Sequence, residues 1–139
     1  MRGALPWVIL LLFLGGIASQ SEANTALGWA SYYKSGNRTA NGEQFDPLGL
    51  TAAHRTLPFG TLVLVTNIKN GKWVVVRIND RGPTLQSRVL DLSFGAAKVL
   101  GLDKLGVAQI KFEELDAEQS ALQEKMSLGD YAKRHLSAN

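Results

Sequence analysis

Cysteine is absent from all 139 residues, and that absence removes several classes of protein at once. Without it there is no disulfide framework, so the fold must rest on its hydrophobic core. Thiolate zinc sites are excluded, as is the cysteine-borne lipid anchor of bacterial envelope proteins. Histidine is nearly as scarce. Only His54 and His135 occur, a poor metal set at that separation, so no metal or other cofactor is expected. A long hydrophobic run is also missing. The apolar stretch from Leu5 to Leu14, interrupted by Pro6, falls short of the roughly 20 residues a spanning helix needs. No segment repeats, and none is of low complexity.

That short apolar stretch fits another role. Met1-Arg2-Gly3 gives a positive start, and Ser21-Glu22-Ala23 places small side chains where a signal peptidase reads. The layout is that of a secretory signal over residues 1–23, with an uncleaved membrane anchor as the alternative. The expected product is periplasmic or secreted and keeps no stable membrane anchor after cleavage. Its net charge is +3, and the signal leaves this unchanged because Arg2 and Glu22 cancel. A mildly basic surface suits an anionic envelope polymer; nucleic acid is not an expected partner outside the cytoplasm.

The rest divides into a domain over residues 24–115 and a tail over 116–139. From Leu27 to Phe112 short β-rich runs alternate with Gly, Asn, Asp and Pro, the pattern of a mainly β domain. Ala30-Ser31-Tyr32-Tyr33 reads as a first strand. Leu62–Asn67 and Lys72–Ile78 flank Asn70-Gly71, the strongest short hairpin signal, because both turn residues tolerate positive φ. Ser93 can cap a short helix to about Leu100 that Gly101 ends, and Val107–Phe112 reads as a last strand. Leu122, Met126, Tyr131 and Leu136 recur among charges in the tail, which predicts an amphipathic helix or a loosely packed extension. His135 reads as a surface residue. Several strands and a helix in so few residues predict a small closed barrel and leave its topology open; a monomer is expected.

Polar side chains gather in four segments that read as turns or strand ends: Arg38-Thr39-Ala40-Asn41-Gly42-Glu43, Thr51-Ala52-Ala53-His54, Asn79-Asp80-Arg81-Gly82-Pro83 and Asp91-Leu92-Ser93. Loops on a rigid scaffold are where function concentrates. Each residue also has an ordinary reading: Glu43 as a solvated loop acid, Asp91 as an orienter of the helix start, Asp80 as a turn-former paired with Arg81, His54 as a half-buried imidazole.

In order and spacing these segments, with Gly28-Trp29-Ala30-Ser31-Tyr32-Tyr33 and Leu57-Pro58-Phe59-Gly60-Thr61, resemble the RlpA (rare lipoprotein A) family. The resemblance runs from about Leu27 to Glu114, and the combination of T-A-N-G-E, T-A-A-H, N-D-R-G-P and D-L-S is specific where no single motif is. It implies a six-stranded double-psi β-barrel with one or two short helices. It further implies an endolytic peptidoglycan lytic transglycosylase, metal-independent, that cuts the β-1,4 bond from N-acetylmuramic acid to N-acetylglucosamine and prefers glycan strands lacking stem peptides. The alternative is a non-catalytic, expansin-like glycan-binding or wall-loosening module.

Carried onto this chain, the family's functional residues fall on Glu43, His54 and Asp80. Asp91, Asn79, Arg81, Tyr32 and Tyr33 follow as second-rank substrate-binding residues, the two tyrosines as a sugar-stacking edge. Glycoside cleavage needs a proton donor for the leaving oxygen. Asp80 is expected to be that donor, kept protonated by burial or by a nearby like charge such as Glu43, with His54 relaying a proton or hydrogen-bonding the sugar or Asp80.

Overall fold

The computed structural model describes residues 25–136, with side chains described through residue 126. The expected signal over 1–23 and the surroundings of His135 lie outside what is described. Six strands close into one barrel: β1 (Thr25–Tyr33), β2 (Thr51–Ala53), β3 (Leu62–Asn67), β4 (Trp73–Asp80), β5 (Arg88–Ser93) and β6 (Val107–Glu114), with α1 (Phe94–Leu100) and α2 (Ala117–Leu136). The order around the barrel is β1-β5-β2-β4-β3-β6. β1 runs parallel to β5 and β2 parallel to β4, while the other four pairings are antiparallel. This is the mainly β, six-stranded double-psi barrel that the resemblance implies.

Strand alternation builds the interior. Val63 and Val65 of β3, Val74, Val76 and Ile78 of β4, and Leu90 and Leu92 of β5 all face inward and are buried. Each such side chain contributes about 1.5–3 kcal/mol on burial. The β3–β4 hairpin forms as expected, with Thr66 opposite Trp73. Its loop is wider than two residues: the Asn67 N–H bonds the Lys72 carbonyl at 2.8 Å. Only Gly71 of the Asn-Gly pair takes a positive φ, 73°.

α1 follows its sequence signals. The Ser93 hydroxyl accepts the Ala96 N–H, and Gly101 at φ 74° returns its own N–H to the Ala97 and Lys98 carbonyls. Asn67 and Asn70 both donate side-chain N–H groups to the Leu100 carbonyl at 3.0 Å, so the hairpin loop closes the helix end.

Two strands differ from expectation. β1 begins five residues early, pairing with β6 from Thr25 onward. Gly28 masks it in the sequence, yet only a glycine fits there, since a Cβ would lie 2.5 Å from a Val89 methyl carbon. β2 is three residues long and wholly buried between β4 and β5; its Thr-Ala-Ala has little β signal of its own. The tail is helical from Ala117.

Candidate active site

Register decides where Asp80 points. Val74, Val76 and Ile78 face inward, and strict alternation would send Asp80 after them into the core. Along β2, however, Thr51 stands opposite Arg77, Ala52 opposite Ile78 and Ala53 opposite Asp80. The extra residue, Asn79, makes a β-bulge, which re-aims the side chain that follows it. Asp80 therefore joins the outer face. Ala53 has Asp91 as its other neighbour, and Asp91 stands opposite Ser31. Asp80, Ala53, Asp91 and Ser31 form one row across β4, β2, β5 and β1.

The two carboxylates in that row are held differently. Asp80 Oδ1 accepts backbone N–H bonds from Ala40 at 2.9 Å and Arg81 at 2.8 Å. Among the described residues its Oδ2 has only the Tyr33 hydroxyl, at 3.5 Å. Asp91 Oδ1 accepts the Ser31 hydroxyl at 2.8 Å and faces Arg88 Nε at 3.3 Å. Gly82 overhangs the row at φ 134°, where a Cβ would lie 3.8 Å from Asp91 Oδ2 and 3.9 Å from the Ala53 Cβ. Tyr33 stacks on Phe45 at 4.7 Å between ring centroids. Burial first, then the Asp80 charge and hydrogen bond, then the Asp91 charge hold its phenol far above the ordinary value. At neutral pH it is a protonated donor.

The T-A-N-G-E segment is a self-tied turn. Glu43 carbonyl accepts the Thr39 N–H, Thr39 carbonyl accepts the Gly42 N–H, and Asn41 Oδ1 accepts the Glu43 N–H. Gly42 takes φ 90°, which favours glycine. This turn supplies the Ala40 N–H that holds Asp80. Glu43 anchors it: its oxygens meet Arg77 Nη1 at 2.5 Å and Nη2 at 2.8 Å, a two-pronged ion pair, with Asn41 Nδ2 at 2.6 Å and Asn79 Nδ2 at 3.3 Å. Hydrogen bonds from Arg77 and then Asn41 lower its carboxyl to about 2. Glu43 is thus a neutralised clamp for the turn, and the expectation of an unpaired like charge beside Asp80 does not match this geometry.

His54 also serves the backbone. Its Nδ1 accepts N–H bonds from Thr56 at 3.1 Å and Leu57 at 3.0 Å, which assigns the ring proton to Nε2. The ring meets Phe112 edge-on at 5.7 Å. Burial, then the charges of Arg55 and Arg81, lower its pKa. What reaches Asp80 is the His54 backbone, whose N–H bonds the Asp80 carbonyl at 3.2 Å; the expected side-chain partnership with Asp80 is not formed.

The second-rank residues divide. Arg81 turns away from the Asp80 carboxylate: Nη1 donates to the Leu57 and His54 carbonyls at 2.9 and 3.2 Å, and its guanidinium lies 3.9 Å from the Phe59 ring centre. Asn79 is buried at the bulge. Tyr32 and Tyr33 do not share an edge. Adjacent strand residues face opposite ways, and Tyr32 packs on Phe94 while donating to the Asp103 carbonyl at 2.8 Å.

Sequence reasoning missed Ser31, Phe45, Arg77 and the Ala40 N–H. Only Arg77 left a signal, as a lone cation within a run of β-branched residues that demands a partner. Among the described residues, no group of three His, Asp or Glu side chains is placed to hold a metal ion.

Residues 25–112 match a family model described as lytic transglycolase. The endolytic peptidoglycan transglycosylase RlpA of Pseudomonas aeruginosa is 50% identical over 104 residues, covering 73% of this chain and 30% of that protein. The probable endolytic peptidoglycan transglycosylase RlpA of Treponema pallidum is 45% identical over 125 residues, 88% of this chain and 38% of that protein. The chain thus spans well under half the length of these curated relatives. Among solved structures, the Streptomyces papain inhibitor matches with a TM-score of 0.57 at 23% identity, over 68% of this chain and 98% of that one. A Clavibacter michiganensis expansin variant in complex with cellohexaose matches with a TM-score of 0.55 at 22% identity, over 66% and 50%. At such identities the likeness concerns the fold alone.

Proposed function

Because the chain belongs to the lytic transglycolase family of double-psi β-barrels, we propose that it cleaves peptidoglycan glycan strands from within as a lytic transglycosylase of the bacterial envelope. The observation that carries this reading is Asp80. The bulge turns its carboxylate out of the barrel, two backbone N–H groups hold one oxygen, and the other faces only a tyrosine hydroxyl. One positioned carboxyl with one available oxygen fits a reaction that needs a proton given and then taken back. The names of the relatives support the substrate class.

In the proposed reaction, Asp80 Oδ2 carries a proton to the leaving oxygen at C4 of N-acetylglucosamine as its bond to C1 of N-acetylmuramic acid breaks. The muramic 6-hydroxyl then attacks C1 and gives its proton to the same oxygen. The product ends in 1,6-anhydro-N-acetylmuramic acid, no water is consumed, and Asp80 regains its starting proton. Such acid–base catalysis contributes about 10²–10⁴ in rate. Glu43 and His54 act as positioning residues, one through the turn that offers the Ala40 N–H, the other through the turn that continues from β2. Asp91, the second carboxylate of the row, and Gly82 line the glycan-facing surface.

The preference for strands without stem peptides, export with a cleaved signal, and a monomeric state belong to the same proposal. Digestion of purified peptidoglycan, intact and amidase-stripped, followed by mass spectrometry tests it. The expected result is anhydro-muramic ends, in greater yield from the stripped polymer. A second reading is a glycan-binding module without turnover; it draws on the fold shared with an expansin solved with cellohexaose. Sedimentation with the polymer and no released product would favour it.

A further inference from the structure

Tyr33 does more than border the row. Its ring is stacked on Phe45, which fixes the direction of its hydroxyl, and among the described residues that hydroxyl is the sole partner of Asp80 Oδ2. Oδ1 is already saturated by the Ala40 and Arg81 N–H groups. The two oxygens are therefore distinguished by their partners: one is locked to the backbone, and the other meets a hydroxyl that can rotate. A hydroxyl both donates and accepts, so it can serve either protonation state of the carboxyl. At 3.5 Å the contact is long, as catalytic hydrogen bonds often are before substrate arrives.

We propose that Tyr33 is a positioning residue that selects Oδ2 as the proton-transferring oxygen of Asp80 and stabilises the carboxylate left after the proton has gone. The proposal rests on the reading of Asp80 as acid and base. When Oδ2 bears the proton, the Tyr33 hydroxyl leaves it directed at the leaving oxygen. When that proton departs with the leaving group, the hydroxyl turns its own hydrogen towards Oδ2, and it turns away as the muramic 6-hydroxyl returns a proton. The phenol proton stays on Tyr33 throughout, in keeping with burial and the two neighbouring carboxylates that oppose its ionisation. Tyr33 exchanges no atoms with substrate. The geometry separates it from Tyr32, whose hydroxyl is committed to the Asp103 carbonyl.

Tyr33→Phe removes the hydroxyl and keeps the ring on Phe45, so the fold survives. Two readouts are needed. The first is the Asp80 carboxyl titration followed by carbon NMR in the substrate-free protein, which requires no turnover. Loss of the donor should move that titration upward, because the carboxylate loses a hydrogen bond that favours its charged form. The second is the pH profile of glycan cleavage. Its alkaline limb should move up with that titration while the rate falls roughly tenfold. An Asp80 titration unchanged in Tyr33→Phe would overturn the proposal, whatever the activity. A shifted titration in a protein whose wild type releases no anhydro product would uphold the tyrosine–aspartate coupling and remove the catalytic reading beneath it.

Discussion

Two regions of the barrel surface are built on opposite principles. Beside α2 lie clefts of about 420 and 580 Å³, lined largely by apolar groups such as Leu64, Val75, Leu115 and Leu122 around Trp73. Around Asp80 there is polar order instead: nearly every donor and acceptor named there is aimed at another. On the proposed reading the reaction belongs to the second region, because proton transfer needs a carboxyl held in one orientation with one oxygen left available. Arg77 touches both regions, lining the larger cleft and clamping Glu43. The contrast shows Asp80 placed by backbone register and turn anchoring.

The largest expected effect is at Asp80 itself. Asp80→Asn keeps an oxygen for the Ala40 and Arg81 N–H groups, so melting should change little while glycan cleavage falls by about 10²–10⁴. Circular dichroism with a product-release assay checks both halves. Next comes the clamp. Glu43→Gln removes the charge that ties the turn to Arg77 and loosens the Ala40 contact, so cleavage should drop roughly ten- to a hundredfold.

The same residue makes an acid-stability prediction. A carboxyl lowered from 4.5 to about 2 adds stability that is complete above pH 4.5 and is lost as pH falls towards 2. Melting temperature should decline across that window in wild type and less in Glu43→Gln. If the two curves run parallel, the ion pair is not what holds the turn.

His54 should matter less to rate than to folding. Its pKa lies below the ordinary 6.5, so its contribution is full above pH 6.5 and shrinks as acid protonates an acceptor that faces two N–H groups. His54→Phe should cost about 1–3 kcal/mol by stranding those donors and should flatten the melting curve just below pH 6.5. A proton relay to Asp80 would instead appear as a rate loss on the scale of Asp80→Asn with stability intact. The smallest effect belongs to the other face: Trp73→Ala should shift stability by about 0.5 kcal/mol or less and leave cleavage unchanged. A large loss there would extend the glycan surface to the α2 side and break the contrast.

How far these features were legible in sequence depends on whether they are local. The hairpin, the Ser93 and Gly101 caps and the helical tail are signalled by neighbouring residues, and all appear. β2 was hidden because three small residues owe their strand state to β4 and β5 on either side. The direction of Asp80 was hidden more deeply, since Val74-Val75-Val76-Arg77-Ile78 predicts an inward carboxylate and only pairing with β2 reveals the bulge. The motif resemblance marked Glu43 and His54 without their work, because Arg77 lies 34 residues from Glu43 and the His54 bonds are to backbone. The motif named Asp80, while the contacts that hold it come from segments distant in sequence.

The central claim is that one carboxyl serves twice and water takes no part in the cleavage. Running the digestion in heavy-oxygen water and weighing the new muramic acid termini by mass spectrometry tests it directly. The account predicts anhydro ends without heavy oxygen. Incorporation of heavy oxygen at those ends would contradict it and give Asp91 the task of activating water.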